Sequence, residues 1–318
     1  MKNILVTGGA GYIGSHIVKE LLDQGYFPIT IDNLSQGHRD AVLGGDFIGG
    51  DIGDATLLRS IFQKHAIDAV IHMAASSIVS ESVANPKKYY QNNVVNGLNL
   101  LETMLEFNVK KIVFSSTAAV YGEPKEIPIT EEHLCNPTNP YGWSKFMFEQ
   151  VLKDFDKAYG LKYISLRYFN AAGAHPNGLL KERHSPETHL IPNILKATQE
   201  GRPVEIYGTD YPTPDGTCIR DYIHVCDLAK AHILSLKKLI HMSESSYYNL
   251  GNGAGVSVKE VIKAVENILR KEIPIKISNR RPGDPAVLIA SSQKIEAELN
   301  WRSINKGIQT IISLSSNG

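Results

Sequence analysis

Ile4-Leu5-Val6-Thr7-Gly8-Gly9-Ala10-Gly11-Tyr12-Ile13-Gly14, at the start of the chain, is the stretch whose reading decides the fold. The apolar run predicts a strand, the glycines a tight turn, and the residues after them a helix. Gly8 and Gly11 would let the backbone turn sharply and approach a pyrophosphate, and Gly14 would let the helix pack close on the sheet. The helix N-terminus adds unpaired N–H groups and a positive dipole end. A glycine-rich turn is common in α/β proteins, so the residues that follow have to discriminate. Ile29-Thr30-Ile31 reads as a second strand ending at Asp32, where an acid meets the adenosine ribose of a dinucleotide. A carboxylate there repels a 2′-phosphate, and Asn33-Leu34-Ser35 supplies no arginine, so the expected cofactor is NAD rather than NADP.

The 318 residues are 42% hydrophobic, enough for a large core in one large or two modest domains. With 33 basic and 33 acidic residues the formal charge is zero, which speaks against the positive field of a nucleic-acid binder. No apolar run is long enough to span a bilayer, and the immediate opening strand leaves no room for a secretory leader, so no membrane association is expected. Cys135, Cys218 and Cys226 are odd in number and lack CxxC spacing, as expected of buried, reduced thiols in a cytoplasmic protein.

Strand-like runs at Ile4–Thr7, Ile29–Asp32, Ala69–His72, Ile112–Ser115 and Tyr163–Leu166 alternate with amphipathic segments. This is the α/β pattern of a Rossmann-type doubly wound parallel sheet. Helices are expected from Tyr89 to Leu105 and from Tyr141 to Tyr159, the second introduced by a capping Asn139 and by Pro140 at the first helical position. Beyond residue 170 the sequence turns to Gly/Pro-rich loops and short helices, which predicts a smaller mixed α/β substrate-binding lobe over 171–318 beside a dinucleotide domain over 1–170. The segment near 221–240 is a candidate to return to the sheet.

Tyr141 and Lys145 lie one helical turn apart, so both project from one face near a helix N-terminus, while Thr117 follows a strand end. In a parallel sheet the carboxyl ends of the strands form the ligand crevice, so these residues and the dinucleotide can converge there. A tyrosine is a poor base at neutral pH, but an adjacent ammonium and a positive nicotinamide ring both favour its phenolate. Tyr141 is thus a candidate base for a hydroxyl group.

TGGAGYIG at Thr7, GDI at Gly50, FSSTAAVYG at Phe114, NPYGWSK at Asn139, RYFNAAGAHPNG at Arg167, HLIP at His189, YGTDYPTPDGTCIRDYIHV at Tyr207, NLGNG at Asn249 and RRPGDPA at Arg280 resemble the extended short-chain dehydrogenase/reductases, and within them the UDP-sugar 4-epimerases. The resemblance implies NAD held by Gly8, Gly11, Tyr12, Ile13, Gly14, Asp32, Asn33, Asp51, Ile52, Met73, Ala74, Ala75, Asn92, Tyr141, Lys145 and Phe169. It implies Tyr141, Lys145 and Thr117 as the catalytic set. Asn170, Arg220 and Arg281 would hold the substrate diphosphate, His189, Leu190, Tyr207 and Asp284 its uridine, and Thr117 with Tyr141 would face the sugar 4-hydroxyl. The implied reaction interconverts UDP-galactose and UDP-glucose by oxidation at C4, rotation of the 4-keto sugar and reduction on its other face. A homodimer paired through the two long helices is implied as well.

Dehydratases and decarboxylases of the same superfamily place a carboxylate just after the strand-end threonine, where this chain has Ala118-Ala119. A non-catalytic NAD-binding protein would have lost one of Thr117, Tyr141 and Lys145. The eleven histidines show no HxxxH or Cys/His ligand spacing, and His184 and His189 stand five apart in a loop region, so no metal is expected. Three departures from the family stand out. Ser76-Ser77 replaces a lysine that helps some relatives retain NAD. Leu288, where relatives carry a tyrosine or a small residue, leaves UDP-N-acetylglucosamine open as a further substrate. The tail from Ile308 lacks the aromatic-rich helix common among relatives, which is expected to uncover core surface in the lobe or to alter oligomer contacts.

Overall fold

The computed structural model describes residues 1–281 and 284–316; Pro282 and Gly283 of the RRPGDPA run, and Asn317-Gly318 of the tail, lie outside the described residues. Seven parallel strands form the main sheet, in the order Asp46–Gly49, Phe27–Asp32, Asn3–Thr7, Ile67–His72, Lys111–Ser115, Lys162–Tyr168 and Ser246–Leu250. Side chains alternate across this sheet, as the two-residue period of a strand requires. Ile4, Val6, Ala69, Ile71, Val113, Ile164 and Leu166 face one apolar layer with the helices Tyr12–Asp23 and Val225–Met242. Leu5, Val70, Ile112, Phe114 and Tyr163 face the other, with the helices Ala55–Lys64, Asn96–Glu106 and Pro140–Tyr159. Both faces are covered, which is why the strands read as near-continuous apolar runs.

Two strands of this sheet go beyond the sequence reading. Asp46–Gly49 forms one edge, and Ser246–Leu250 joins the other after the helix Val225–Met242 carries the chain back. The helix expected from Tyr89 to Leu105 is present, but it widens into a π turn at Gln91–Val95 between Pro86–Tyr90 and Asn96–Glu106. Asn139 caps the helix Pro140–Tyr159 by accepting the Gly142 N–H at 2.9 Å, with Pro140 at its first position.

The rest of the chain after residue 170 builds a smaller set of layers. Ile219–His224 pairs with Asn170–Ala172, Gly255–Ser257 and Val287–Leu288, and Ile275–Ser278 pairs with Val204–Tyr207. The helices Leu190–Glu200, Val258–Leu269 and Ile308–Ser316 share a core with these strands. Here the tail expectation is corrected. Ile311 and Ile312 are fully buried in that core, so an aliphatic helix covers the surface that the missing aromatic one was expected to leave bare. The cysteine expectation is corrected in part: all three thiols are free, but only Cys218 is buried, while Cys135 and Cys226 are half-exposed.

Candidate active site

The crevice opens where strand order reverses, between Asn3–Thr7 and Ile67–His72. The two strand ends are tied together: Met73 N donates to Thr7 O at 3.0 Å, and Ala74 N to Thr7 Oγ1 at 3.3 Å. Gly8 has φ +69°, and a Cβ there would lie 2.7 Å from Ala74 N, so a side chain is excluded twice over. A Cβ at Gly14 would stand 2.1 Å from Gly8 O, which places its constraint against the turn itself rather than the sheet.

Gly11 differs from both. Its φ of −74° is open to any residue, and a Cβ would meet only Gly8 O at 3.4 Å, an ordinary contact. Nothing within the chain therefore demands glycine at the start of the helix Tyr12–Asp23, whose first turn also has no side-chain cap. A helix N-terminus left uncapped behind a side-chain-free residue fits a pyrophosphate. Asp32 closes the turn: Oδ2 accepts the Ala10 N–H at 2.9 Å and Oδ1 the Leu34 N–H at 2.8 Å, and burial raises its pKa. Each oxygen keeps a further lone pair for a ribose hydroxyl. Asn33 donates to Asp51 at 2.7 Å, and Asp51 also accepts from Gly53 N, which sets Asp51 and buried Ile52 beside that position. These residues fit an NAD molecule at its adenosine and pyrophosphate ends.

At the other end, Thr117 caps a short turn over Ala118–Val120 by accepting the Ala119 N–H at 3.1 Å. Thr117, Tyr141 and Lys145 are buried together. Burial pushes the Tyr141 phenol well above its usual range, the Tyr168 phenol adds to this, and the Thr117 hydroxyl acts the other way. Burial pulls the Lys145 ammonium down to about 7, against the carboxylate of Glu149, which favours the charge. Lys145 Nζ donates to Ser115 O at 2.8 Å and lies 4.8 Å from the centre of the Phe114 ring. Below this set, buried His72 bonds Thr7 Oγ1 at 2.7 Å and is held uncharged, with a pKa lowered to about 3 by burial and then by Lys145.

Two supports of the site went unread in the sequence. Glu149 lies two turns after Tyr141 on the same helix and forms a buried pair with Arg167, whose NH2 reaches Oε2 at 2.5 Å and whose Nε reaches Oε1 at 3.0 Å. Glu149 also accepts the Ser116 hydroxyl at 2.5 Å, while Arg167 donates to Tyr121 Oη at 3.0 Å, so this network fixes the strand end that carries Thr117. The i, i+4, i+8 spacing of Tyr141, Lys145 and Glu149 was its available signal. The second support is Asn93, in the π turn. It accepts from Ser76 N at 2.8 Å and donates to Ser144 Oγ at 2.9 Å, tying the Ser76-Ser77 loop to the helix that carries Tyr141 and Lys145. Its neighbour Asn92 donates to Asn93 at 3.0 Å, and Ala75 precedes the tied loop.

The residues expected to hold the substrate lie around the smaller sheet. Asn170 is in register with Tyr222, and Leu288 with Arg220, both against the strand Ile219–His224. Arg220 donates to Asp284 and, at 2.8 Å, to Pro285 O, so these two predicted residues bind each other. Arg281 stacks over the Tyr207 ring at 4.0 Å, and the Tyr207 hydroxyl donates to Glu205 at 2.8 Å. Phe169 is buried with Ala118, Tyr121 and Ala290, and Leu288 packs against that cluster. His189 precedes Leu190 at the start of a helix, but its Nδ1 is turned to Glu182, 2.5 Å away, and to Glu187.

Residues 4–251 match the model of the NAD dependent epimerase/dehydratase family. The chain is 54% identical over 310 residues to the UDP-glucose 4-epimerase of Halalkalibacterium halodurans, covering 97% of this chain and 93% of that protein. It superimposes on the crystal structure of UDP-glucose 4-epimerase from Brucella ovis in complex with NAD with a TM-score of 0.96 at 45% identity, covering 100% of this chain and 98% of that one. The Bifidobacterium longum enzyme, solved with NAD+ and UDP, gives a TM-score of 0.94 at 44% identity, with 99% and 97% covered.

Proposed function

The chain belongs to the NAD dependent epimerase/dehydratase family, and from that premise we propose that it interconverts UDP-galactose and UDP-glucose. The observation that carries this reading is the buried set Thr117, Tyr141 and Lys145 at the carboxyl end of the parallel sheet whose first strand runs into the turn closed by Asp32.

NAD, when bound, supplies reversible hydride acceptance at the sugar C4. The chain's own residues handle the proton and the grip. Tyr141 Oη takes the 4-hydroxyl proton and later returns it, with the Thr117 hydroxyl beside it. Burial raises the pKa of this phenol, and the positive charges of Lys145 and of the oxidised cofactor would act against that shift to make it a base. The 4-keto sugar must then rotate while its diphosphate stays anchored. We assign that anchoring to Asn170, Arg220 and Arg281, whose guanidinium forks suit phosphate oxygens, and the uridine to Tyr207, Asp284, Leu190 and the backbone at His189. Dehydration would need a further acid near Thr117. Glu149, a carboxylate of that region, is committed to Arg167 and Ser116.

In this reading residues 1–170, with the returning segment near 221–240, form the NAD lobe and 171–318 mainly the UDP-sugar lobe. We also assign a homodimer through the two long helices, over Pro86–Glu106 and Pro140–Tyr159, a reading supported by the exposed Val95, Met147 and Tyr159 on them. Unpaired cysteines, and the lack of any helix long and apolar enough to cross a membrane among the described residues, are in keeping with a cytoplasmic location. The test is incubation with UDP-galactose, followed by proton NMR, without and then with added NAD. UDP-glucose is expected in at least the second. Silence in both would overturn the proposal.

A further inference from the structure

We propose that Glu182, His184, Glu187 and His189 form a divalent-cation site whose donors fit zinc. Each residue offers one ligand atom, and these atoms all lie within 4.8 Å of one another. It is the only such group of three or more potential ligands among the described residues. The four fall within eight residues as Glu-x-His-x-x-Glu-x-His, a spacing that brings them together only because the loop before the helix Leu190–Glu200 folds back on itself.

The direction of the side chains separates a cation site from an ion-paired cluster. Glu182 has a side chain only 6% exposed, with Oε1 2.9 Å from His184 Nδ1 and 2.5 Å from His189 Nδ1. Yet Oε1 of Glu182 and Nδ1 of His184 are both buried without a properly directed hydrogen bond. Atoms that lie this close without donor-to-acceptor alignment keep lone pairs that a shared cation can take. Glu187 completes the set, with Oε1 3.5 Å from His189 Nδ1. That oxygen accepts the N–H groups of Thr188 and His189 at 2.7 and 2.8 Å, the outer hydrogen bonding that orients a ligating carboxylate.

Two imidazole nitrogens and two carboxylate oxygens match tetrahedral zinc, and the imidazoles disfavour calcium and magnesium, which prefer oxygen alone. Zinc bonds of about 2.0–2.2 Å give a tetrahedron with edges of about 3.4 Å. The shorter separations here need to open by less than about 1 Å to admit the ion. Two carboxylates and two neutral imidazoles also balance its charge. The loop bridges the two halves of the ligand crevice: His184 packs edge-on against Tyr12 of the glycine turn with ring centres 6.3 Å apart, Arg183 pairs with Asp40, and His189 begins the helix of the smaller layers. A bound ion there staples this strap in place and takes no part in proton transfer at Tyr141.

The test uses the full chain, stripped with a chelator, dialysed, and titrated with zinc chloride against a chromophoric chelator, with metal counted by mass spectrometry. Cobalt(II) is loaded in parallel as a geometry probe. The proposal predicts one zinc per chain, a rise in melting temperature on zinc addition, and the intense visible bands of four-coordinate cobalt. Glu182→Gln and His184→Ala, each checked for native circular dichroism, should weaken zinc binding at least about tenfold. Failure of the wild-type chain to take up zinc would overturn the proposal, as would uptake unaltered in both variants or a six-coordinate cobalt spectrum. The wild-type titration and cobalt spectrum decide the question even if a variant fails to fold.

Discussion

Replacing Glu149 with glutamine tests whether the buried pair beneath the site does the work assigned to it. The two side chains are 6% and 8% exposed, and the carboxylate meets the Arg167 fork with both oxygens. Glutamine keeps the shape but removes the charge and turns one acceptor into a donor facing another donor. Removing one partner of a buried pair costs about 3–5 kcal/mol, because the other charge is left uncompensated. With a urea slope of about 3 kcal/mol/M, the unfolding midpoint should fall by about 1 M or more. The double change Glu149→Gln/Arg167→Met removes both charges, and its loss should be smaller than that of Glu149→Gln alone. A kinetic consequence accompanies this. Glu149 favours the ammonium of Lys145, so its loss should draw that group further below about 7 and move the alkaline limb of kcat to lower pH. Urea titration and a pH profile measure both effects. A single variant within about 0.5 kcal/mol of wild type, or a double variant as unstable as the sum of the singles, would refute the reasoning.

Tyr141→Phe should lower kcat by about 10²–10⁴ while leaving NAD and UDP affinities near their normal values, as kinetics and equilibrium dialysis would read out, because it removes the proton acceptor and keeps the ring. Gly11→Ala should fold normally yet lose NAD, since its Cβ meets only Gly8 O at 3.4 Å, whereas Gly14→Ala, at 2.1 Å from the same oxygen, should lower the melting temperature as well. Acid should destabilise the fold through three buried imidazoles whose pKa values burial lowers from 6.5, to about 4 for His16 and His232 and about 3 for His72. Each folded value lies below the unfolded one, so the unfolded chain binds more protons. The stabilisation is full above about pH 6.5 and is lost as pH falls through the folded values, at about 1.4 kcal/mol per histidine per pH unit. Urea midpoints at pH 7, 6 and 5 would show this, and His232→Asn should flatten the slope.

The parallel sheet was legible because its strands are buried on both faces, and Ile4 to Val6, Ala69 to Ile71 and Ile112 to Phe114 carry that burial as apolar runs. The edge strand Asp46–Gly49 was not legible: its residues are half-buried or exposed, and it holds Gly49. Ser246–Leu250 lies so far along the chain that only the packing of Val225–Met242 returns it to the sheet. At the site, Tyr141, Lys145 and Asn139 announced themselves through helical spacing and capping. Asn93 did not, because a polar residue in a helix reads as solvent-facing until the π turn rotates it toward Ser76 and Ser144. The pairing of Arg220 with Asp284, 64 residues apart, and the folding of His184 and His189 onto one carboxylate depend on loops whose course no periodicity encodes. The burial that raises the Tyr141 pKa is likewise a property of the packed site that helical spacing does not encode.

The central claim is that the hydride leaves C4 and returns to it within one site. UDP-galactose carrying deuterium at C4 tests this most directly, with the product followed by proton NMR in ordinary water. The account predicts UDP-glucose that retains the deuterium at C4, with no H4 resonance growing in. UDP-glucose bearing solvent hydrogen at C4, or no conversion with NAD supplied, would contradict it.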